Sequence, residues 1–241
     1  MRSLTRFLIL VTCTVLALCS TATAIVIPED IDYSTIPGTF ISEIPSNKYD
    51  GSRPIIIFFP GSGEANSIYA TMNYLKDQDI YDNVNCDLMA VAINNFMPDA
   101  YYNDWDTMAK SLVKHLESMQ ELNHCRYDIK VDCFSLGGLG ASLFMDYALE
   151  AGLNITELTY ADACTELGYE QDDIKDYLKQ GIKVNIYAST GPNEISERTQ
   201  NSIEELTGKT NFRGYVFDCR HNETLHEAIY KQNLHKDISY H

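Results

Sequence analysis

"DIKVDCFSLGGLGASLFMDYALEAG" runs from Asp128 to Gly152. An apolar, β-rich run ends at Phe134. Helical spacing follows almost at once, with Leu139, Leu143, Phe144, Tyr147 and Ala148 on one face before Gly152 stops it. Ser135 stands at the junction. A serine ahead of a glycine run is, taken in isolation, a turn residue or a helix cap. The rest of the chain decides whether this one is more.

Outward from that stretch the same alternation repeats. "PIIIFFPGSG", "DLMAVAINN", "YDIKVDCFS", "ELTYADAC", "KVNIYAST" and "RGYVFDC" each read as a strand buried on both faces. Helices lie between them: Ile68, Met72 and Leu75 after the first; Met108, Leu112, Val113, Leu116 and Met119 after the second. Later come a helix around Ile174, Tyr177 and Leu178 that stops at Gly181, one capped near Ser196 that stops at Gly208, and one from Glu223 to Leu234. Parallel strands need crossovers, so this order predicts an α/β fold: a mostly parallel, doubly wound sheet with helices on both faces. Thr39 to Ile44 and the Asp50-Gly51 turn predict an antiparallel start to the sheet. Ligands of such sheets bind beyond the carboxyl ends of the strands. The residues to inspect are therefore Gly61 to Glu64, Asn94 to Phe96, Ser135 to Gly138, Asp162, Gly191 to Glu194, and His221.

The amino terminus, "MRSLTRFLILVTCTVLALCSTATA", has basic Arg2 and Arg6, a short apolar stretch and Ala22-Thr23-Ala24. It reads as a secretory signal peptide, residues 1–24, and the apolar stretch is too short for a membrane span. Residues 25–241 then form one domain, secreted or extracytoplasmic, with no linker dividing it. The formal charge of -16 becomes -18 when Arg2 and Arg6 are removed, which argues against nucleic acid and anionic membrane surfaces as partners. Cys86, Cys125, Cys133, Cys164 and Cys219 remain, none in a C-x-x-C pair, so zinc or thioredoxin-like spacing is absent. The odd number leaves at least one thiol unpaired within the chain, while one or two disulfides can form in an oxidising compartment. Asn154-Ile-Thr and Asn222-Glu-Thr match the glycosylation acceptor pattern.

A serine hydroxyl is a weak nucleophile. It needs a base within hydrogen-bond reach, a group to orient that base, and donors aimed at the developing oxyanion. A sharp strand-to-helix turn exposes the serine and places the next backbone N–H at the positive end of a helix. Close packing of the turn requires small residues two before and two after the nucleophile. Gly137 meets the second requirement, and Cys133 stands at the first.

On these residues the chain resembles the α/β-hydrolase family. The family's elbow, G-x-S-x-G, stands here as Cys133-Phe134-Ser135-Leu136-Gly137, with Cys133 departing from the usual glycine. "FFPGSGE" looks like the family's oxyanion loop, with Pro60 where a histidine often stands. The resemblance implies Ser135 as nucleophile, Glu194 as acid, three residues beyond Gly191, and His221 as base just past the last strand. The order Ser135, Glu194, His221 is the family's order. The oxyanion donors it implies are the N–H of Leu136 with that of Ser62 or Gly63. Asp162 also ends a strand and is the alternative acid; His226 is the alternative base.

The activity expected from this reading is hydrolysis of small or medium neutral carboxylic esters through an acyl-enzyme. A thioesterase or peptidase uses the same groups, and a binding module on the same scaffold is the non-catalytic alternative. No metal or organic cofactor is called for. "SLGGLG" lacks the first glycine of a dinucleotide fingerprint, and no lysine follows as in a phosphate-binding loop. Phe96, Met97, Tyr101, Tyr102 and Trp105 are expected either to cover the core or to line the cleft. The short link after Cys164 leaves no room for a large lid.

Overall fold

A computed structural model describes residues 39–42, 51–62, 68–77, 81, 84–92, 101–163 and 171–235. Residues 1–24, read above as a signal peptide, lie outside them, as do Gly63, Phe96, Met97 and Cys164. The strands are β1 (Thr39–Ser42), β2 (Ile55–Phe59), β3 (Asp87–Ala92), β4 (Ile129–Phe134), β5 (Ile155–Ala161), β6 (Lys183–Ser189) and β7 (Phe212–Phe217). The helices are α1 (Ile68–Asp77), α2 (Tyr101–Asn123), α3 (Gly137–Glu150), α4 (Gln171–Lys179), α5 (Glu194–Leu206) and α6 (Thr224–Lys231).

One sheet runs β1-β3-β2-β4-β5-β6-β7. β2 to β7 are parallel, and β1 pairs antiparallel with β3, Thr39 opposite Ala92. The expected antiparallel start is therefore present over Thr39–Ser42. Helices cover both faces. Trp105, Leu112 and Leu116 of α2, Phe144 and Ala148 of α3, Ile174 of α4 and Leu206 of α5 pack on one face; Leu75 of α1 with Leu225 and Ile229 of α6 pack on the other. Each helix turns its apolar stripe to the sheet, which removes that surface from water. Gly152, Gly181 and Gly208 each follow a helix at positive φ, 73°, 87° and 86°, where a side chain would be strained.

One expectation changes. "RGYVFDC" is not buried on both faces, because β7 is the edge strand and leaves Tyr215 48% exposed. Of the two alternatives for Trp105 the structure shows the first: it is wholly buried against Phe59 in the core, and it also explains Gly140, where an added Cβ would lie 2.4 Å from the indole.

No disulfide joins Cys86, Cys125, Cys133 and Cys219 to one another. Cys133, at the elbow position where the family's glycine stands, is buried, and its Sγ donates to Thr159 O at 3.2 Å. The extra atoms are thus taken up against the backbone of β5.

The α6 face of the sheet also holds a buried charge cluster. His235, which follows α6, has Nε2 2.8 Å from Asp132 Oδ2 and Nδ1 3.6 Å from Glu157 Oε2, while Lys130 pairs with Glu157 at 2.8 Å and Tyr81 donates to Asp132. Burial alone would lower the His235 pKa, but the charge and hydrogen bond of Asp132, together with Glu157, push it up to about 9. A raised histidine pKa stabilises the fold fully below the unfolded value of about 6.5, and that stability is lost as pH rises toward 9. Thermal unfolding between pH 7 and 9 is therefore expected to show a falling midpoint. His235→Ala should remove that slope and cost about 3–5 kcal/mol by leaving buried carboxylates uncompensated. A slope unchanged in the variant would place its origin elsewhere.

Candidate active site

Among the described residues, Gly61, Ser62, Ser135 to Gly138, Asp162, Gly191 to Glu194 and His221 lie at the carboxyl edge of the parallel sheet, since β2, β4, β5, β6 and β7 all run the same way, whereas Asn94 to Phe96 and Glu64 lie outside the described residues. Ser135 follows β4 directly with φ 52°, a left-handed conformation that is costly for a residue with a Cβ. Its backbone N–H donates to Ala161 O at 3.4 Å, and Gly138 N closes the turn onto Ser135 O at 3.3 Å. The strand thus turns into α3 within two residues, with Leu136 at the N-cap. The first N–H groups of a helix have no intrahelical acceptor, so the turn beside Ser135 presents backbone donors.

The small residues at the elbow have definite causes. A Cβ on Gly137 would lie 2.2 Å from Phe59 O and 2.5 Å from Pro60 O, and a Cβ on Gly61 would lie 3.0 Å from Ser135 Cβ. The start of α3 is therefore pressed against the end of β2 and Pro60, and Gly61 lies against Ser135. Gly137→Ala is expected to cost about 1–3 kcal/mol by overpacking and to impair any chemistry at Ser135, because the neighbour it strikes is backbone. Thermal unfolding of the variant checks this. A midpoint equal to that of the unsubstituted protein would mean the two segments are not in contact.

Asp162 follows β5 as Ser135 follows β4, again with positive φ, 44°. Its N–H donates to Tyr187 O at 2.7 Å. The side chain is fully buried, and Oδ2 lies 3.0 Å from His221 Nδ1. Ser189 N donates to Oδ1 at 2.9 Å, Ser196 Oγ to Oδ2 at 2.8 Å, Thr224 Oγ1 to Oδ2 at 3.2 Å, and Ser189 Oγ also donates to Oδ2. Burial by itself would raise the Asp162 pKa. The hydrogen bonds from His221, from both the side chain and backbone of Ser189, and from Ser196 outweigh it and hold the carboxyl below its ordinary range.

His221 opens a short 3₁₀ turn (His221–Glu223) just past β7, and its side chain is 29% exposed. The turn is held by Glu223, which accepts from Arg220 N at 2.9 Å, by Thr224 Oγ1 donating to His221 O at 3.0 Å, and by Tyr74 of α1 reaching Asn222 O at 3.2 Å. The imidazole rests against the ring of Phe134, with centroids 4.7 Å apart, beside the residue that precedes Ser135. One ring nitrogen is thus committed to a buried carboxylate, and the ring sits at the elbow.

Glu194 is not part of this arrangement. Asn193 caps α5 by accepting from Ser196 N at 2.8 Å, which makes Glu194 the first residue of the helix. There its side chain is 76% exposed and pairs with Arg198 one turn on. It favours the helix N-terminus and does not contact His221. The carboxylate that meets the histidine is Asp162, the alternative acid, one strand nearer the elbow. His226 stacks on Tyr230 at 4.3 Å and approaches Glu227 at 4.0 Å, away from Asp162. Ser189 and Thr224 carried no motif that would single them out in the sequence, and Ser196 stood out only as a helix-cap signal, a role the structure gives to Asn193.

No protein-family model matches the sequence, and no curated protein does. Solved structures do match in fold. An esterase from Pyrobaculum calidifontis superposes with a TM-score of 0.52 at 11% identity, over 83% of this chain and 82% of the other. An acetyl ester-xyloside bifunctional hydrolase from Caldicellulosiruptor lactoaceticus gives 0.50 at 14% identity, over 89% and 93%. The Vlm2 thioesterase domain gives 0.51 at 13% identity, over 83% and 98%. The chain has the α/β-hydrolase fold, as the elbow and the element order imply.

Proposed function

From an α/β-hydrolase fold with a serine at its elbow, we propose that this protein is a serine hydrolase acting on small or medium neutral carboxylic esters. The observation that carries the reading is His221 held at 3.0 Å by the buried Asp162, at the same sheet edge as Ser135 in its left-handed turn. Ser135 Oγ attacks the ester carbonyl while His221 Nε2 accepts its proton, giving a tetrahedral oxyanion and an imidazolium. The N–H of Leu136 and of Ser62 or Gly63 receive the oxyanion. Collapse expels the alcohol, which takes the proton from His221, and leaves an acyl-enzyme. Water then repeats the sequence and frees Ser135. Asp162 orients His221 through Nδ1 and supports its charge without taking the proton.

The formal charge of -16 suits neutral better than anionic substrates. Export after cleavage at Ala24 belongs to the same proposal, and amino-terminal sequencing of the processed protein tests it. The activity is tested by incubation with a fluorophosphonate, which phosphonylates only an activated serine. Labelling at Ser135, located by mass spectrometry, is expected. A folded protein that stays unlabelled would instead be a binding module on this scaffold.

A further inference from the structure

The Asp162 carboxylate is bonded more densely than the orientation of one histidine requires. Four donors converge on Oδ2: His221 Nδ1, Ser189 Oγ, Ser196 Oγ and Thr224 Oγ1. Two lone pairs per oxygen cannot serve four full hydrogen bonds. Each hydroxyl has one proton to give. Ser189 and Ser196 oxygens are 2.8 Å apart, so the Ser196 proton goes to Asp162 or to Ser189, and a carboxylate oxygen, which has no proton to give, can only accept from Ser189. Thr224 shares its proton between Oδ2 and His221 O.

The three hydroxyls come from three elements: the end of β6, the first turn of α5 and the first residue of α6. All are closed to solvent. Each hydroxyl supplies a donor to the buried anion, where an alanine or valine would fill the space and supply none.

We propose that Ser189, Ser196 and Thr224 are positioning residues, which hold Asp162 as an anion aimed at His221 and, by sharing Oδ2 with it, set how strongly His221 keeps its proton. The proposal rests on His221 being the base. Removing one hydroxyl leaves more of the Oδ2 charge to the imidazolium, so His221 keeps its proton to a higher pH and less neutral base is present at a given pH.

Other ionisable groups around the cage are turned elsewhere. On α5, Glu194 pairs with Arg198, with Glu197 in the same turn; at the end of β7, Asp218 accepts from Thr190 and Glu223 from Arg220 N. Cys219 Sγ lies 3.9 Å from Thr224 Oγ1, and burial pushes its thiol up. On α6, Glu227 pairs with Lys231 and His226 stacks on Tyr230; Tyr187 of β6 is held neutral by burial.

The test is an NMR titration of the His221 imidazole, identified by its loss in His221→Ala. Ser189→Ala and Thr224→Val are expected to move the His221 midpoint upward by about one pH unit, the size of one ordinary hydrogen bond. Thr224→Ser, which keeps the hydroxyl, should restore the original midpoint. The lower limb of kcat/KM against pH should move with it, with kcat affected more than KM. Should Ser189→Ala not fold, Ser196→Ala and the Thr224 pair give the same readout. Midpoints unmoved in all the folded hydroxyl deletions would overturn the proposal. Because the titration needs no turnover, a shifted midpoint with no fluorophosphonate labelling would leave the cage standing and remove the hydrolase reading.

Discussion

Ser135→Ala is expected to lower hydrolysis of an activated aryl ester by roughly 10⁴–10⁶-fold while leaving the fold intact. In the proposed reaction the Ser135 hydroxyl forms the acyl bond, while the Cys133 thiol of the same elbow is buried and donates to Thr159 O. Removal of the Ser135 hydroxyl also leaves the packing of Gly61 and Gly137 around the turn unchanged, since those contacts involve the Ser135 Cβ and the backbone of β2 and the loop after it. The left-handed φ of 52° is as unfavourable for alanine as for serine, so the change in stability should stay within about 1 kcal/mol. Steady-state turnover and thermal unfolding together check it. Turnover that survives at the original rate would remove Ser135 from the chemistry whatever the geometry of the elbow.

Asp162→Asn should come next in size, a loss of about 10⁴-fold in kcat, with Glu194→Gln within about twofold of the unsubstituted protein. An asparagine can offer an N–H₂ to His221 where the carboxylate accepted from it, which favours the wrong tautomer. It also leaves the hydroxyls of Ser189, Ser196 and Thr224 competing for one neutral oxygen. Glu194 faces solvent and Arg198, so its charge is worth little to His221. The reverse ranking, with Glu194→Gln the damaging change, would mean the acid is delivered from α5. The stability profile gives an independent sign. A carboxyl depressed below its unfolded value of about 3.8 contributes stability at pH above that value, lost as pH falls through the folded one. Asp162→Asn should therefore flatten the acid side of the pH–stability curve, while Glu194→Gln should not.

Much of this was legible along the chain because it depends on local patterns. A run such as "PIIIFFP" has no polar face and can only be an inner strand. In the sheet it pairs in parallel with β4, Ile55 opposite Ile129 and Phe59 opposite Cys133, a register that only the structure gives. The helix spacing of Leu112, Leu116 and Met119, the stops at Gly152, Gly181 and Gly208, and the abrupt strand-to-helix turn at Ser135 are likewise properties of neighbours in sequence. The burial of β7 differs for a reason of the opposite kind: its residues resemble an inner strand, but among the described residues no strand lies beyond it to cover Tyr215.

The sequence by itself determined the parallel α/β order, the elbow serine and the histidine after the last strand, because each is set by residues within a few positions of one another. Only the tertiary structure decided which carboxylate serves that histidine. Asp162 and Glu194 both follow strands, and spacing cannot separate them; what does is a backbone at φ 44° that turns one side chain inward, and a cap at Asn193 that turns the other out with the first turn of α5. The Asp162 cage belongs to the same level. Ser189, Ser196 and Thr224 carry no signal of this role in sequence and meet only because β5, β6 and the turn after β7 lie side by side, where a buried anion requires every donor within reach.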